Sequence, residues 1–518
     1  MFKFIPKSKL LVFLILLCTF IFGFWLRHEN IKGGNIVLDF DQYEDLFYTY
    51  KIAVDHELPI IGRAIYGDPR IHHGVFYYYY NLIPFLAGNG SPLASAYWNS
   101  FFNAATLFVI FVLSWLMFKK VLPGILSAII IAASFEFIKF SNWLTIDTVT
   151  IFTVPLFYLG LWLIVIKRGW GLILSAVSLG LSIQADLTFL YLIPVFIIYL
   201  LIFKPQILTL KLSLLSLAAF AAATATMILT EIKLNFAGVK TLLNFSSNFG
   251  ETKLPYGQRL QLFLQDFGIN FSNNLFPTRP DLGIFIAAII ILITLYFLFR
   301  PKLAKQEKSA IYFLLLYLFS PVVTLILGYH QKPWFLIGLP PAIALISGYA
   351  ISKLKFRFLI LLAILAIVSS NATIILNRPS KAYQLFNSIY DSTSYMNYQL
   401  QVVDYTYKSA AGLPFAINAV TYPLYYNGMW AYLYNWYGKE NFGYVPGWLG
   451  GDQLHPYDLL PKTTNKEKYF YMLISETNRI PEIYKNIGRT WAKEKGELIE
   501  EKTIGGFTVQ KYAKPQAI

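Results

Sequence analysis

The chain has 518 residues, of which 56% are hydrophobic and only 14% are charged, against about 25% charged residues in soluble globular domains. The formal net charge is +15. The basic residues lie between long apolar blocks and no nucleic-acid motif accompanies them, so the charge indicates membrane topology and not nucleic-acid binding. The single cysteine, Cys18, excludes a disulfide or a thiolate metal site within one chain.

About eleven apolar segments are long enough to cross a bilayer, which predicts a mostly α-helical, multi-pass membrane protein. We predict that residues 8–26 are a retained anchor and not a cleaved signal peptide, because no small-residue cleavage site clearly follows them. The predicted spans are residues 9–26, 94–118, 121–139, 145–166, 171–185, 187–203, 210–231, 283–299, 309–328, 334–352 and 358–376.

Lysine and arginine are concentrated in alternate loops of this series of helices. Lys119, Lys120 and Lys353 are examples from the predicted inner loops, whereas the short outer turns carry only Lys139 and Lys332. Because positively charged loops stay in the cytoplasm, we predict a cytoplasmic N-terminus in the cell membrane. The segments predicted to face outward are a first outer loop (27–93), a second outer loop (232–282) and a tail (377–518).

The tail differs in composition from the predicted transmembrane domain of residues 1–376. It is polar, rich in Tyr and Trp, and contains no predicted span. Gly505 and Gly506 suit a hairpin turn inside its last strand-like run. We therefore predict a small extracytoplasmic α/β domain. Its predicted helices are residues 382–410 and 479–495, and its strand-like runs are residues 414–420, 469–476 and 498–512.

The first outer loop opens on an acidic stretch that contains Asp41, Glu44 and Asp45. Asp41 and Asp45 are four residues apart, so on a helix they share one face. Two carboxylates on one face repel each other unless something binds between them or one of them holds a proton. The alternative is a solvated acidic start of a helix, which the helix dipole favours.

Other ionisable residues lie at the predicted outer ends of spanning helices: Asp147, Asp186, Glu231, His330 and Lys332. Ionisable groups at such positions are costly, and their shared side indicates a site at the outer membrane boundary. Each also has an ordinary structural interpretation, as a helix N-terminal acid, a turn residue or an interface anchor.

Three segments of the first outer loop carry a resemblance: residues 41–45 (DQYED), 58–62 (LPIIG) and 73–79 (HGVFYYY). Together with residues 330–340, they resemble the C-type glycosyltransferases in order, spacing and side. The resemblance is to glycosyltransferase family 39-like proteins, which include protein O-mannosyltransferases and lipid A aminoarabinose transferases. Val75 stands where that pattern has Pro, and Asp186 lies near where many relatives have His or Lys, which puts a role for Asp186 in doubt.

The resemblance implies a hexosyl or pentosyl transferase with a polyprenyl-phosphate-linked sugar as donor. The acceptor would be a hydroxyl of a glycan, lipid or protein, and the anomeric carbon would be inverted. Asp41 is the predicted catalytic base, with Asp45 as a supporting acid. We predict no cofactor and no metal, although a divalent cation between Asp41, Glu44 and Asp45 is left open.

A leaving phosphate needs cationic donors nearby. Our candidates for donor phosphate binding are His330, Lys332, His73 and Arg63. A second group is predicted to position the substrates: Glu44, Asp147 and Tyr78.

Two other classes of protein fit parts of the pattern. A transporter or flippase of lipid-linked sugars would explain the prolines that interrupt helices, but such proteins often show repeats, which this sequence lacks. A non-catalytic membrane scaffold that displays the tail would leave the acidic first outer loop unexplained.

Overall fold

The computed structural model describes residues 7–65, 68–243, 254–326, 333–377, 390–453, 457–464 and 467–513. Within these ranges the chain is largely helical, and its one larger sheet, of five strands, lies in the tail. The first outer loop contributes two short helices and a two-stranded hairpin, and the tail packs directly on this loop.

The helices before residue 234 are α1 (Lys7–Ile31), α2 (Phe40–Tyr50), α3 (Phe76–Ala87), α4 (Pro92–Phe118), α5 (Val121–Ala133), α6 (Phe135–Ile138), α7 (Thr150–Val165), α8 (Trp170–Ala185), α9 (Leu192–Phe203), α10 (Leu210–Ala223) and α11 (Ala225–Lys233). Those up to residue 377 are α12 (Ala237–Leu243), α13 (Tyr256–Leu275), α14 (Gly283–Leu298), α15 (Lys305–Phe319), α16 (Val322–Ile326), α17 (Leu339–Ser352) and α18 (Arg357–Asn377). The hairpin of the first outer loop consists of β1 (Ala64–Ile65) and β2 (Asp68–His72).

The apolar helices confirm a multi-pass membrane protein. Among the described residues, 6 helices are long and apolar enough to cross a membrane, or up to 8 if each of two bent pairs is one span. Three further apolar helices have 10–17 residues. The predicted number of about eleven spans therefore stays a prediction, as does the orientation of the termini. The six are Lys9–Gly34, Pro92–Phe118, Ile146–Val165, Pro280–Leu298, Lys305–Leu325 and Arg357–Asn377.

One of the two bent helix pairs lies directly before Asp147 in the chain. Helix α5 and the helical segment Phe135–Asn142, which begins with α6, meet at 52° around Ser134. A break in an apolar helix leaves backbone groups that must find other partners. Asn371 Oδ1 accepts the N–H of Phe135 at 2.7 Å, and Arg27 Nη1 donates to the carbonyl oxygen of Ala132 at 2.9 Å. These buried side chains stabilise the break, after which the chain continues towards Asp147.

The tail forms a mixed sheet in the strand order β4-β3-β5-β7-β6. Strand β3 is parallel to β4 and β5, whereas β7 is antiparallel to β5 and β6. The strands are β3 (Phe415–Val420), β4 (Gly447–Trp448), β5 (Tyr469–Ser475), β6 (Glu497–Ile504) and β7 (Phe507–Ala513). The helices are α19 (Met396–Ala410), α20 (Gly428–Leu433), α21 (Lys439–Phe442) and α22 (Glu482–Lys495).

The predicted strand-like runs of the tail are confirmed as β3, β5 and the hairpin of β6 and β7. Gly505 lies in the hairpin turn at a φ of +56°, a left-handed conformation that favours glycine. The short strand β4 is missing from the sequence prediction. In the described part of the first predicted helix, Asp391 caps a single 3₁₀ turn, and α19 then starts at Met396. Residues 382–389 of that prediction lie outside the described residues.

The tail and the first outer loop are joined by backbone hydrogen bonds. The N–H of Leu38 donates to the carbonyl oxygen of Ser394 at 2.7 Å, and the N–H of Met396 donates to that of Ile36 at 3.1 Å. Val37 bridges to Tyr395 on one side and, on the other, to the segment that precedes α7. The tail therefore packs against the residues that lead directly into α2.

Candidate active site

Helix α2 carries the acidic residues of the first outer loop. Asp39 is its N-cap and forms a capping box with Gln42, which explains why the helix begins here. The predicted helical face with Asp41 and Asp45 is confirmed. The Asp41 side chain is 49% exposed, whereas that of Asp45 is 1% exposed. Asp41 is thus the member of this pair that solvent and substrates can reach.

Arg63 lies against this acidic face. Its Nη1 is 2.6 Å from Oδ1 of Asp41, and its Nε is 3.4 Å from Oδ1 of Asp45. The Arg63 side chain is only 9% exposed. A buried guanidinium needs a carboxylate partner, and here it has two neighbouring ones. In this structure the charge of Arg63 is paired with Asp41 and Asp45. The role of Arg63 at a donor phosphate stays a prediction.

Close backbone packing holds the segment that carries Arg63. The N–H of His73 donates to the carbonyl oxygen of Arg63 at 3.1 Å, and the N–H of Gly74 donates to that of Gln184 at 2.9 Å. A Cβ on Gly62 would collide with the backbone of His73, and one on Gly74 would collide with Gln184. This packing gives a physical reason for glycine in both motifs of the first outer loop.

Three acids on one turn of α2 share the positive charge of Arg63. Burial raises the pKa of Asp45 to about 8, with a further contribution from Asp41, although Arg63 acts in the opposite direction. Burial also raises the pKa of Glu44 to about 7, again against Arg63. The Glu44 carboxyl is hydrogen-bonded to Tyr457 of the tail. At neutral pH, Asp45 therefore holds a proton, which relieves the repulsion on this face.

Tyr78 supports Arg63 from the other side. Its hydroxyl accepts the backbone N–H of Arg63 at 3.1 Å, and its ring stacks on Tyr48 with centroids 4.5 Å apart. The Tyr78 side chain is fully buried. Its contacts are with the protein, and its predicted role in positioning a substrate stays untested.

Asp147 also lies in the cluster, within the electrostatic reach of Arg63. It forms part of a 3₁₀ turn, Ile146–Val149, directly before α7, so it is also an acid at the start of a helix. Its carboxyl contacts that of Asp186 and accepts a hydrogen bond from Thr145 Oγ1 at 3.3 Å. The structure therefore brings Asp186 into the site, although the family pattern puts its role in doubt. The sequence does contain a signal for this residue: Asp186, like Asp147, is predicted to lie at the outer end of a spanning helix.

His73 is buried beside Arg63. Burial, and next the positive charge of Arg63, lower the pKa of His73 below its ordinary value. The imidazole is therefore neutral at neutral pH. The prediction that His73 binds the donor phosphate stays untested, but a neutral ring would act as a single N–H donor and not as a cation.

Two of the predicted phosphate-binding residues, His330 and Lys332, lie outside the described residues. Where the structure describes the chain, no group of three His, Cys, Asp or Glu side chains is placed to hold a metal ion. The structure brings most of the predicted site residues together around one turn of α2: Asp41, Asp45, Glu44, Arg63, His73, Tyr78 and Asp147.

We expect the thermal midpoint of the wild type to fall as pH rises from about 5 to about 8, the pKa of Asp45 in the folded state. In this window the folded state still holds the Asp45 proton, which an unfolded chain with a carboxyl pKa of about 3.9 has already lost. Folding is therefore favoured at the lower pH. Asp45→Asn should flatten this dependence, and differential scanning fluorimetry in detergent would measure it.

Asp281→Asn is the control for this measurement. Asp281 is exposed and bound by Arg279, which lowers the pKa of Asp281 and so keeps its titration below the window. The control should retain the wild-type slope. Equal slopes for Asp45→Asn and the wild type would contradict a buried, protonated Asp45.

Comparison with known proteins gives a likeness in fold. No family model and no curated protein matches the sequence. ArnT from Cupriavidus metallidurans in the apo state has a TM-score of 0.62 at 10% identity, over 99% of this chain and 100% of that chain. ArnT from the same organism bound to undecaprenyl phosphate gives 0.61 at 9% identity over the same shares. The predicted C-type glycosyltransferase fold is thereby confirmed, and it extends over both the helices and the tail.

Proposed function

We propose that the chain is a membrane glycosyltransferase that moves a sugar from a polyprenyl-phosphate donor to an acceptor hydroxyl at the outer face of the cytoplasmic membrane. The observation that carries the proposal is Asp41, a half-exposed carboxylate held 2.6 Å from the buried Arg63 on the first outer loop. A solved ArnT with the same fold was bound to undecaprenyl phosphate, which supports a lipid phosphate as the donor's leaving group.

In the proposed reaction Asp41 acts as the general base. It takes the proton of the acceptor hydroxyl while that oxygen forms a bond to the anomeric carbon. The bond from this carbon to the phosphate oxygen breaks, and polyprenyl phosphate leaves with the electron pair. Attack from the face opposite the phosphate inverts the anomeric carbon, by the same geometry that applies to inverting hydrolases.

The other residues of the cluster have supporting roles in this proposal. Arg63 orients Asp41, and Tyr78 fixes the backbone of Arg63. Asp45 stays protonated next to Asp41, and the positioning of sugar or acceptor hydroxyls is assigned to Glu44 and Asp147 on sequence grounds. Positive charge at the leaving phosphate is assigned to His330 and Lys332 on sequence grounds.

The substrates are proposed only by class: a hexosyl or pentosyl donor, an acceptor on a glycan, lipid or protein, and no nucleic acid. The test uses the purified protein in detergent with a panel of radiolabelled polyprenyl-phosphate sugars and measures released polyprenyl phosphate. We expect release from one donor, faster when a hydroxyl acceptor is added. Binding of no donor at all would contradict the proposal.

A flippase of lipid-linked sugars is the second candidate, favoured by the two helix pairs bent by 52° and 66°. It predicts donor binding without cleavage, and movement of intact donor across the membrane of a reconstituted vesicle. Intact donor appearing in the opposite leaflet, with no polyprenyl phosphate released for any acceptor, would favour the flippase over the transferase.

A further inference from the structure

Helix α2 makes contacts on two sides. Asp41 and Asp45 face Arg63, as described above. Asp39 and Tyr43, also four residues apart, contact the tail instead. The helix that carries the proposed base therefore lies between the tail and the site, and the tail contacts the residue at which this helix begins.

The Asp39 carboxylate binds the helix and the tail at once. Its Oδ1 accepts the N–H of Phe40 at 2.7 Å, and its side chain also accepts the N–H of Gln42 in the capping box. Its Oδ2 accepts from Ser394 Oγ at 2.6 Å and lies 2.7 Å from Nη2 of Arg479. The Asp39 side chain is only 9% exposed, so water competes little for these contacts.

A second tail residue holds the same start of the helix. Gln399 Oε1 accepts the hydroxyl of Tyr43 at 2.5 Å, and its Nε2 donates to the carbonyl oxygen of Leu38 at 2.8 Å. Arg479 is itself fixed, because its guanidinium lies over the ring of Tyr422 at 4.5 Å. The contact is thus built from ordered groups on both sides.

We propose that Arg479 is a positioning residue: its ion pair with Asp39 fixes the start of α2 and thereby the place of Asp41. This inference rests on the proposed function for its kinetic consequence, but its structural consequence stands without it. A misplacement of a reacting group by about 1 Å can lower turnover about 10²-fold. Loss of the contact between Arg479 and Asp39 is therefore expected to lower turnover, although Arg479 itself contacts no substrate.

The test compares Arg479→Met with Arg489→Met. Arg489 is a matched control: its side chain is 27% exposed against 24% for Arg479, and it pairs with Glu476 at 2.6 Å, away from α2. We expect Arg479→Met to lower kcat about tenfold or more at an unchanged KM for the donor. Arg489→Met should stay within about twofold of the wild type. Arg479→Lys should restore part of the loss, because it keeps the charge without the planar guanidinium.

Asp39→Asn gives an independent arm, because asparagine is also a good N-cap but carries no charge. It should reproduce the kcat loss of Arg479→Met, and the double variant should lose no more than either single variant. Fully additive losses, or a kcat for Arg479→Met equal to that of Arg489→Met, would overturn the inference.

Hydrogen exchange of the α2 amides separates this inference from the proposed function. We expect faster exchange over residues 40–45 in Arg479→Met than in Arg489→Met, whether or not a donor is turned over. A wild type that is inactive on every donor would contradict the proposed function but not the positioning role of Arg479. Equal exchange in the two variants would overturn the positioning role of Arg479, even in an active enzyme.

Discussion

Asp41→Asn is expected to lower the rate of polyprenyl-phosphate release by about 10²–10⁴-fold, the usual contribution of a general base. Asparagine has nearly the same shape, but its amide cannot take the proton of the acceptor hydroxyl. Since Asp41 is half-exposed and binds no lipid chain in the proposed reaction, the KM for the donor should change little. Radiolabelled release with the donor found by the panel would measure both quantities.

Asp281→Asn is the matched control for loss of turnover. Asp281 is likewise an exposed aspartate with an arginine partner, since its Oδ2 lies 2.8 Å from Nη2 of Arg279. This control should keep wild-type turnover. A thermal midpoint for each variant shows whether the fold is intact. A well-folded Asp41→Asn protein with turnover within about threefold of the wild type would rule out Asp41 as the base.

The local parts of this site could be predicted from the sequence. A spacing of four residues places Asp41 and Asp45 on one helical face, and α2 confirms it. Runs of apolar residues predicted the helical bundle, and short strand-like runs predicted the main strands of the tail. The number of about eleven spans stays a prediction, because three apolar helices of the described residues are shorter than a typical transmembrane helix.

Partners that come from distant segments could not be predicted. Arg63 reaches Asp41 only because the segment before β1 packs closely on His73 and Gly74, and sequence spacing does not show such a contact. Arg479 meets Asp39 from the far end of the chain. Burial is also a tertiary property, so neither the raised pKa of Asp45 nor the lowered pKa of His73 follows from the residue types.

Arg63→Met should be the most destabilising substitution in the cluster. Removing one partner of a fully buried ion pair costs about 3–5 kcal/mol. The cost should lie below this range at neutral pH, because Asp41 is half-exposed and Asp45 holds a proton. Here Asp41 and Asp45 would both lose their cationic neighbour. The loss should be larger at about pH 9 than at about pH 6, because a protonated carboxyl needs no cation and the pKa of Asp45 is about 8. Thermal midpoints at the two pH values would measure the effect, and turnover should be lost as well.

Arg70→Met is the control on the hairpin that follows Arg63, because Arg70 pairs with Asp68 at 2.6 Å while its own side chain is 62% exposed. Its midpoint should stay close to that of the wild type, since exposed pairs contribute little. Asp45→Asn should partly rescue Arg63→Met, because it removes one of the two uncompensated carboxyls. If the double variant were as unstable as the sum of both single changes, Arg63 and Asp45 would act independently. The cluster would then be a set of separate residues, and the charge of Arg63 would have no effect on the pKa of Asp45.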